Sequence, residues 1–175
     1  MGAGIVPVGL KNGELVFLFG KENKYNSIQG LSDFGGGKER NESNIQTATR
    51  EGAEELMGFI GNQNKIKKLL KIGHFNIKEN NYEMFLFFFP YDEKLPYYFN
   101  NSMSFLENFL PTQDIEKKTC FEKSFIKWMT LKEMEKNKNK FRFFIRKHID
   151  AIKEKKKEIE IFIKKQSTLL NEKEL

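Results

Sequence analysis

Gly35 to Phe59 reads GGGKERNESNIQTATREGAEELMGF, and this stretch decides the fold and most of the chemistry. Gly36 is followed by Glu42, then Arg50-Glu51, then Glu54-Glu55, then a glycine and an apolar residue. Ser43 and Gln46 have the form of a capping box, so a helix is predicted from about Asn44 to Met57. Ile45, Ala48, Gly52 and Leu56 recur at helical spacing and form its buried stripe. Glu51, Glu54 and Glu55 fall on the opposite arc. Like charges three and four residues apart destabilise a helix by roughly 0.2–0.5 kcal/mol per pair. A solvated helix interleaves Lys with such glutamates, and here no Lys does so. A bound cation would remove the penalty. Hard carboxylate oxygens suit Mg²⁺, which keeps several waters and is often shared with substrate phosphates. An acidic solvated face would account for a lone Glu-Glu pair, but not for the glycines and Arg50 at their offsets.

Outward from this stretch the chain reads as alternating strands and helices. Gly4–Leu10 and Glu14–Phe19 are predicted strands joined by Lys11-Asn12-Gly13, since Asn-Gly is a strong hairpin signal. Lys21 to Gly30 is a polar loop. Leu69–Ile77 and Tyr82–Phe89 read as the next two strands, the second apolar on both faces and therefore central. Pro96–Leu110 reads as a short helix and a loop over the site, Phe121–Trp128 as a strand, and Thr130–Lys136 as a short helix. Phe141 to about Lys165 keeps helical spacing throughout and reads as one long amphipathic helix, followed by a frayed tail over 166–175. The pattern alone supports α+β or α/β.

At 175 residues and 39% hydrophobic content the chain is one domain with a sizeable core. Cys120 is the only cysteine, which excludes an intrachain disulfide and suits a reducing compartment. Its surroundings hold no motif, and it reads as inert. The longest apolar run, Met84 to Pro90, is far shorter than the roughly 20 residues of a membrane span. No signal peptide is visible, and the chain reads as soluble and cytoplasmic. Residues 136–165 carry 12 Lys+Arg against 4 Asp+Glu, whereas residues 1–135 carry 17 against 18. The basicity therefore belongs to the C-terminal helix. Its polar face holds Arg142, Arg146, Lys147, Lys153, Lys156, Lys157 and Lys164. It reads either as a solvated face or as a surface that tracks RNA phosphates.

The offsets in Gly36–Phe59 resemble the Nudix box: Gly, five residues, Glu, seven residues, Arg-Glu, two residues, Glu-Glu, one residue, Gly and an aliphatic residue. Gly36, Glu42, Arg50, Glu51, Glu54 and Glu55 match it position for position. Gly58 comes one residue late, and Gly52 stands where the family has an aliphatic residue. The resemblance implies a single Nudix domain over 1–165, an α+β fold with a mixed β-sheet sandwiched between helices. It also implies a Mg²⁺-dependent (Mn²⁺ possible) pyrophosphohydrolase acting on a nucleoside diphosphate linked to another group, X. By resemblance Glu51 and Glu55 ligate the metal with the Gly35 carbonyl, Glu54 is a third ligand or the general base, and Arg50 orients a glutamate. Glu42 supports the loop. Gly36 borders the substrate, and Lys21 is a basic phosphate contact. A further carboxylate comes from a late loop, with Asp114, Glu116 and Glu122 the candidates and Glu122 favoured as a catalytic residue. Tyr97, Tyr98 and Phe99 could stack on a base, although packing is the more common role, and His74 and His148 lack partners at metal-ligand spacing. The substrate reads as a free nucleotide, the 5′ cap of mRNA, or an inositol pyrophosphate. A non-catalytic binding module is the other class. Composition and the Ser32-Asp33-Phe34-Gly35-Gly36 approach to the box resemble Nudix proteins of large DNA viruses, some of which decap mRNA, and such a protein would act in the host cytoplasm.

Overall fold

The computed structural model describes residues 1–111 and 121–171. β1 (Gly2–Lys11) and β2 (Glu14–Glu22) form the expected hairpin, with Lys11 paired to Glu14. Asn12 and Gly13 both take positive φ, 50° and 82°, as the tight turn between twisted strands requires. Then come β3 (Leu31–Ser32), β4 (Phe34–Gly37), α1 (Asn44–Glu55), α2 (Gln63–Ile72), β5 (Phe75–Glu79), β6 (Tyr82–Phe88) and α3 (Lys94–Phe109). β7 (Lys123–Thr130), α4 (Leu131–Lys136), a 3₁₀ turn (Lys138–Lys140), α5 (Phe143–Glu154) and α6 (Lys156–Asn171) complete the described chain.

The sheet is mixed, in the order β3-β2-β1-β6-β5, with β4 also pairing β1 and β7 also pairing β2. β1 runs parallel to β6 and antiparallel to β2 and β4. Side chains alternate across the strands, so two cores form. On one face Ile5, Leu18, Phe34, Phe85, Phe87 and Ile126 pack with residues of α1, α2 and α3. On the other Val6, Val8, Phe17, Phe19, Met84 and Leu86 pack with Ile145, Ile149, Ile159 and Ile163 of α5 and α6. The fold is thus α+β, a mixed sheet between helical layers, as expected. β6 lies between β1 and β5 and contributes to both cores, which explains its unbroken apolar run.

Four local readings change. Leu69–Ile72 is the end of α2 rather than the start of a strand, because the Asn62 side chain caps Lys65 N–H and Ile66 and Leu70 then share a buried helical face. α3 is a sixteen-residue helix, with Pro96 in its first turn, where its missing N–H costs nothing. The basic C-terminal helix is two helices that meet at Lys155. Gln166–Asn171 continue α6 instead of fraying, with Gln166 buried. Among the described residues no helix is long and apolar enough to cross a membrane.

α1 begins at the capping box as expected: Gln46 N–H donates to Ser43 Oγ, and Ser43 N–H to Gln46 Oε1. Its end explains the displaced box glycine. Met57 N–H donates to the Glu54 carbonyl and Gly58 N–H to the Ala53 carbonyl, a Schellman stop. The left-handed residue of that stop is Met57, at φ 49°. A methionine therefore occupies the conformation the box gives to glycine, at a cost of about 1 kcal/mol. Gly52 is also accounted for. A Cβ there would lie 2.3 Å from Ile5 Cδ1, so Ile5 from β1 supplies the apolar bulk that the box residue usually brings. Gly52→Ala should cost about 1 kcal/mol in urea unfolding, because overpacking of about 1–3 kcal/mol exceeds the helix-propensity gain. Ile5→Ala removes both atoms that a Cβ at Gly52 would meet, Cδ1 at 2.3 Å and Cγ1 at 2.7 Å, so Gly52→Ala should cost less in that background than in wild type; a purely additive double variant would remove the steric explanation.

Candidate active site

α1 packs across β4, and this places the box carboxylates against the glycine strand. A Cβ on Gly36 would lie 2.5 Å from Glu51 Oε1, so only glycine lets the Glu51 carboxylate come this close. Arg50 fans out over the cluster. Its guanidinium meets Glu42 Oε1 at 2.8 Å, Glu51 Oε1 at 2.9 Å and Glu54 Oε2 at 3.5 Å, and donates to the Gly37 carbonyl at 3.2 Å. The contact with Glu54, four residues on, is the longest of the three. Glu42 is held by Arg50, Thr47 Oγ1 and Glu39 N–H, and the Arg50 hydrogen bond lowers its carboxyl to about 2. These contacts tie Glu42 to the loop at Glu39 and to α1 at Thr47 and Arg50.

The carboxylates are not equivalent. Glu54 is 40% exposed and Glu51 14%. Glu55, expected on the solvent arc with them, is only 2% exposed and points inward. Its Oε2 accepts the Gly35 N–H at 2.9 Å, and its Oε1 lies 3.1 Å from Lys123 Nζ. Lys123 is fully buried and also reaches Glu22 Oε1 and Ser32 Oγ, each at 2.6 Å. Arg142 approaches the same Glu22 oxygen at 3.1 Å. Burial alone would lower the Lys123 ammonium, but Glu55 and Glu22 overcome it and hold it above the usual lysine value. Burial pushes the Glu55 carboxyl up, and Lys123 opposes this.

Burial raises the Glu51 carboxyl and Arg50 opposes it, with Glu54 and Glu122 adding to the rise; Glu122 also adds to that of Glu55, where burial is again the largest cause. Asp114 and Glu116 lie outside the described residues, as does Cys120. Lys21 is exposed on the opposite face of β2, where it lines a pocket of about 310 Å³ with Lys127, Lys140, Phe125 and Leu31. Tyr97 and Tyr98 are exposed on α3, whereas Phe99 is fully buried and belongs to the core, not to a stacking surface. His148 lies on the buried face of α5, and His74 bonds the Leu70 carbonyl. Much of the basic C-terminal face is occupied within the chain: Arg146 holds the Phe141 and Asn139 carbonyls, Lys153 pairs with Glu135, and Lys164 with Glu160.

The donor chemistry, hard carboxylate oxygens beside a glycine strand, suits Mg²⁺. Glu51 and Glu54 fit that task. Both Glu55 oxygens are already engaged, by Gly35 N–H and by Lys123 Nζ. Among the described residues no group of three or more His, Cys, Asp and Glu converges on a metal position.

Sequence reasoning missed Lys123, Glu22, Asp33 and Tyr82. A bulge at Lys21/Glu22 shifts the register of β2 against β7 there, and nothing local in the sequence marks it. Asp33 is fully buried and accepts the Tyr82 hydroxyl at 2.8 Å. Burial raises its carboxyl from 3.8 to about 6, against the opposing effects of Tyr82, Lys123, His148 and Arg142. The folded value lies above the unfolded one. Protonated Asp33 thus contributes stability that is fully present below about pH 4 and lost as pH rises through about 6, an effect of about 3 kcal/mol. Asp33→Asn keeps an acceptor for Tyr82 and cannot ionise. In thermal melts at about pH 5 and about pH 8, wild type should lose more stability across the interval than the variant. Parallel pH profiles would show that Asp33 does not titrate there.

No protein-family model matches the chain, and no curated protein does. Solved structures do. An Ap4A hydrolase binary complex from C. elegans is 17% identical over 98% of each chain, with a TM-score of 0.47. A Nudix hydrolase from Nitrosomonas europaea is 14% identical over 86% of each chain, at 0.40. A structure from Listeria monocytogenes described as a Nudix hydrolase is 14% identical over 91% of this chain and 96% of its own, at 0.45. The chain is similar to Nudix structures. The likeness to these Nudix proteins is one of fold.

Proposed function

We propose that this chain is a Mg²⁺-dependent Nudix-type pyrophosphohydrolase that adds water to a phosphorus of the diphosphate in a nucleoside diphosphate-X substrate. The observation that carries the reading is the fit of Glu51 against Gly36 under the Arg50 guanidinium, because it explains the box spacing in three dimensions. When bound, the metal would neutralise phosphate charge and lower the pKa of the attacking water. Glu51 and Glu54 would hold it. Glu54 is the most accessible of the box glutamates, which supports it as a ligand or as the group that takes the proton of water; Glu122 is the alternative base. Arg50 fixes the orientation of Glu51 and Glu54 from one side. The internal pairing of the C-terminal basic residues supports a structural role for that face over an RNA-tracking one.

A hydrolysis panel with Mg²⁺ tests the reading. It contains dNTPs, dinucleoside polyphosphates, ADP-ribose, free cap analogue, capped RNA and an inositol pyrophosphate. Turnover of a nucleoside diphosphate-X compound supports it. Turnover of capped RNA with none of free cap makes the chain a decapping enzyme, and turnover of the inositol compound alone moves it out of nucleotide chemistry. No metal-dependent turnover anywhere would leave a binding module.

A further inference from the structure

Lys123 is not called for by the box, yet it stands at its centre. It is fully buried, and its stem runs past Gly20 of β2, where a Cβ would lie 2.9 Å from Lys123 Cδ. The slot is therefore built by a neighbouring strand. At its end the ammonium has three oxygen partners from three elements: Glu22 Oε1 from β2, Ser32 Oγ from β3 and Glu55 Oε1 from α1. Ser32 Oγ donates in turn to Glu22 Oε1 at 2.7 Å, and Asn26 Nδ2 donates to Glu22 Oε2 at 2.8 Å. The second Glu55 oxygen is held by Gly35 N–H. A buried carboxylate held in this way has its charge met and its lone pairs directed at fixed donors, and a divalent ion at Glu55 would have to approach a neighbouring ammonium. Charge repulsion in a site that excludes water opposes that. The outer carboxylates differ: Glu51 meets Arg50 through Oε1 alone, and Glu54, 40% exposed, meets it only at 3.5 Å.

We propose that Lys123 is a built-in cation of this site: it holds Glu55 out of the metal shell, so that the divalent ion is carried by Glu51 and Glu54. This rests on the metal-dependent reading above and changes which box glutamates bind. Lys123 is a positioning residue, acting through Glu55 and the Gly35 main chain.

Mn²⁺ is the probe. In crystals of the full chain with Mn²⁺, the anomalous peak should lie about 2.5 Å or less from an oxygen of Glu51 or Glu54 and beyond about 4 Å from both oxygens of Glu55. In solution, electron paramagnetic resonance titration should show Glu51→Gln weakening Mn²⁺ binding about tenfold or more. The double variant Lys123→Met/Glu55→Gln removes both buried charges together, and it should bind Mn²⁺ within about threefold of wild type. A peak on Glu55, or a double variant as weak as Glu51→Gln, overturns the proposal while leaving the hydrolase reading intact. A wild-type chain that takes up no Mn²⁺ overturns both. The crystal measurement uses wild type alone and decides the matter even where a variant fails to fold.

Discussion

Glu54→Gln should reduce kcat/KM on the substrate identified by the panel by about a thousandfold, about 4 kcal/mol of transition-state stabilisation, while leaving the melting temperature within about 1 °C. The two halves of this result come from different features. Glu54 is 40% exposed and touches Arg50 at 3.5 Å, so an amide of the same shape leaves packing and the stronger Arg50–Glu42 pair in place. Chemistry is affected far more, since an amide neither takes a proton from water nor offers a charged oxygen to a metal. Glu51→Gln would lower activity as well, but Glu51 is more enclosed and tied to Arg50 at 2.9 Å, so stability would fall with it. Glu54 therefore gives the cleaner separation of function from fold. Activity of Glu54→Gln within threefold of wild type would remove Glu54 from both roles proposed for it.

Lys123→Met should destabilise the chain by about 3–5 kcal/mol, a large share of the roughly 5–15 kcal/mol that holds a domain folded. Methionine matches the stem in the Gly20 slot but leaves Glu55 and part of the Glu22 charge buried without their partner. Adding Glu55→Gln should restore about 2 kcal/mol, since the amide removes one uncompensated charge. Urea unfolding of wild type, the two single variants and the double variant measures this coupling. A Lys123→Met chain as stable as wild type would mean that the cluster contributes nothing, and it would also undercut Lys123 as a fixed cation.

Much of the site was legible because the box is local. Ser43, Gln46, Arg50, Glu51 and Glu54 lie within three turns of one helix, and helical spacing alone brings Arg50 to Glu54 and the Ser43–Gln46 cap together. The hairpin was legible for the same reason, since Asn12-Gly13 admits few other turns. The boundary errors at Leu69–Ile77 and Pro96–Leu110 came from apolar runs whose period is ambiguous over a few residues; the Asn62 cap and the packing of Leu95, Phe99 and Met103 resolved them.

By itself the sequence determined the capped carboxylate helix, the glycine strand before it, the apolar central strand and the confinement of the net positive charge to the last forty residues, all properties of neighbours along the chain. Only the tertiary structure decided that Glu55 faces inward, that Ile5 fills the space above Gly52, and that Lys123, about seventy residues beyond the box, ends between Glu22 and Glu55. Such contacts depend on strand register, and a single bulge changes which side chains meet. Burial then sets the charge balance, because an ion pair's strength depends on how much water the folded chain removes around it.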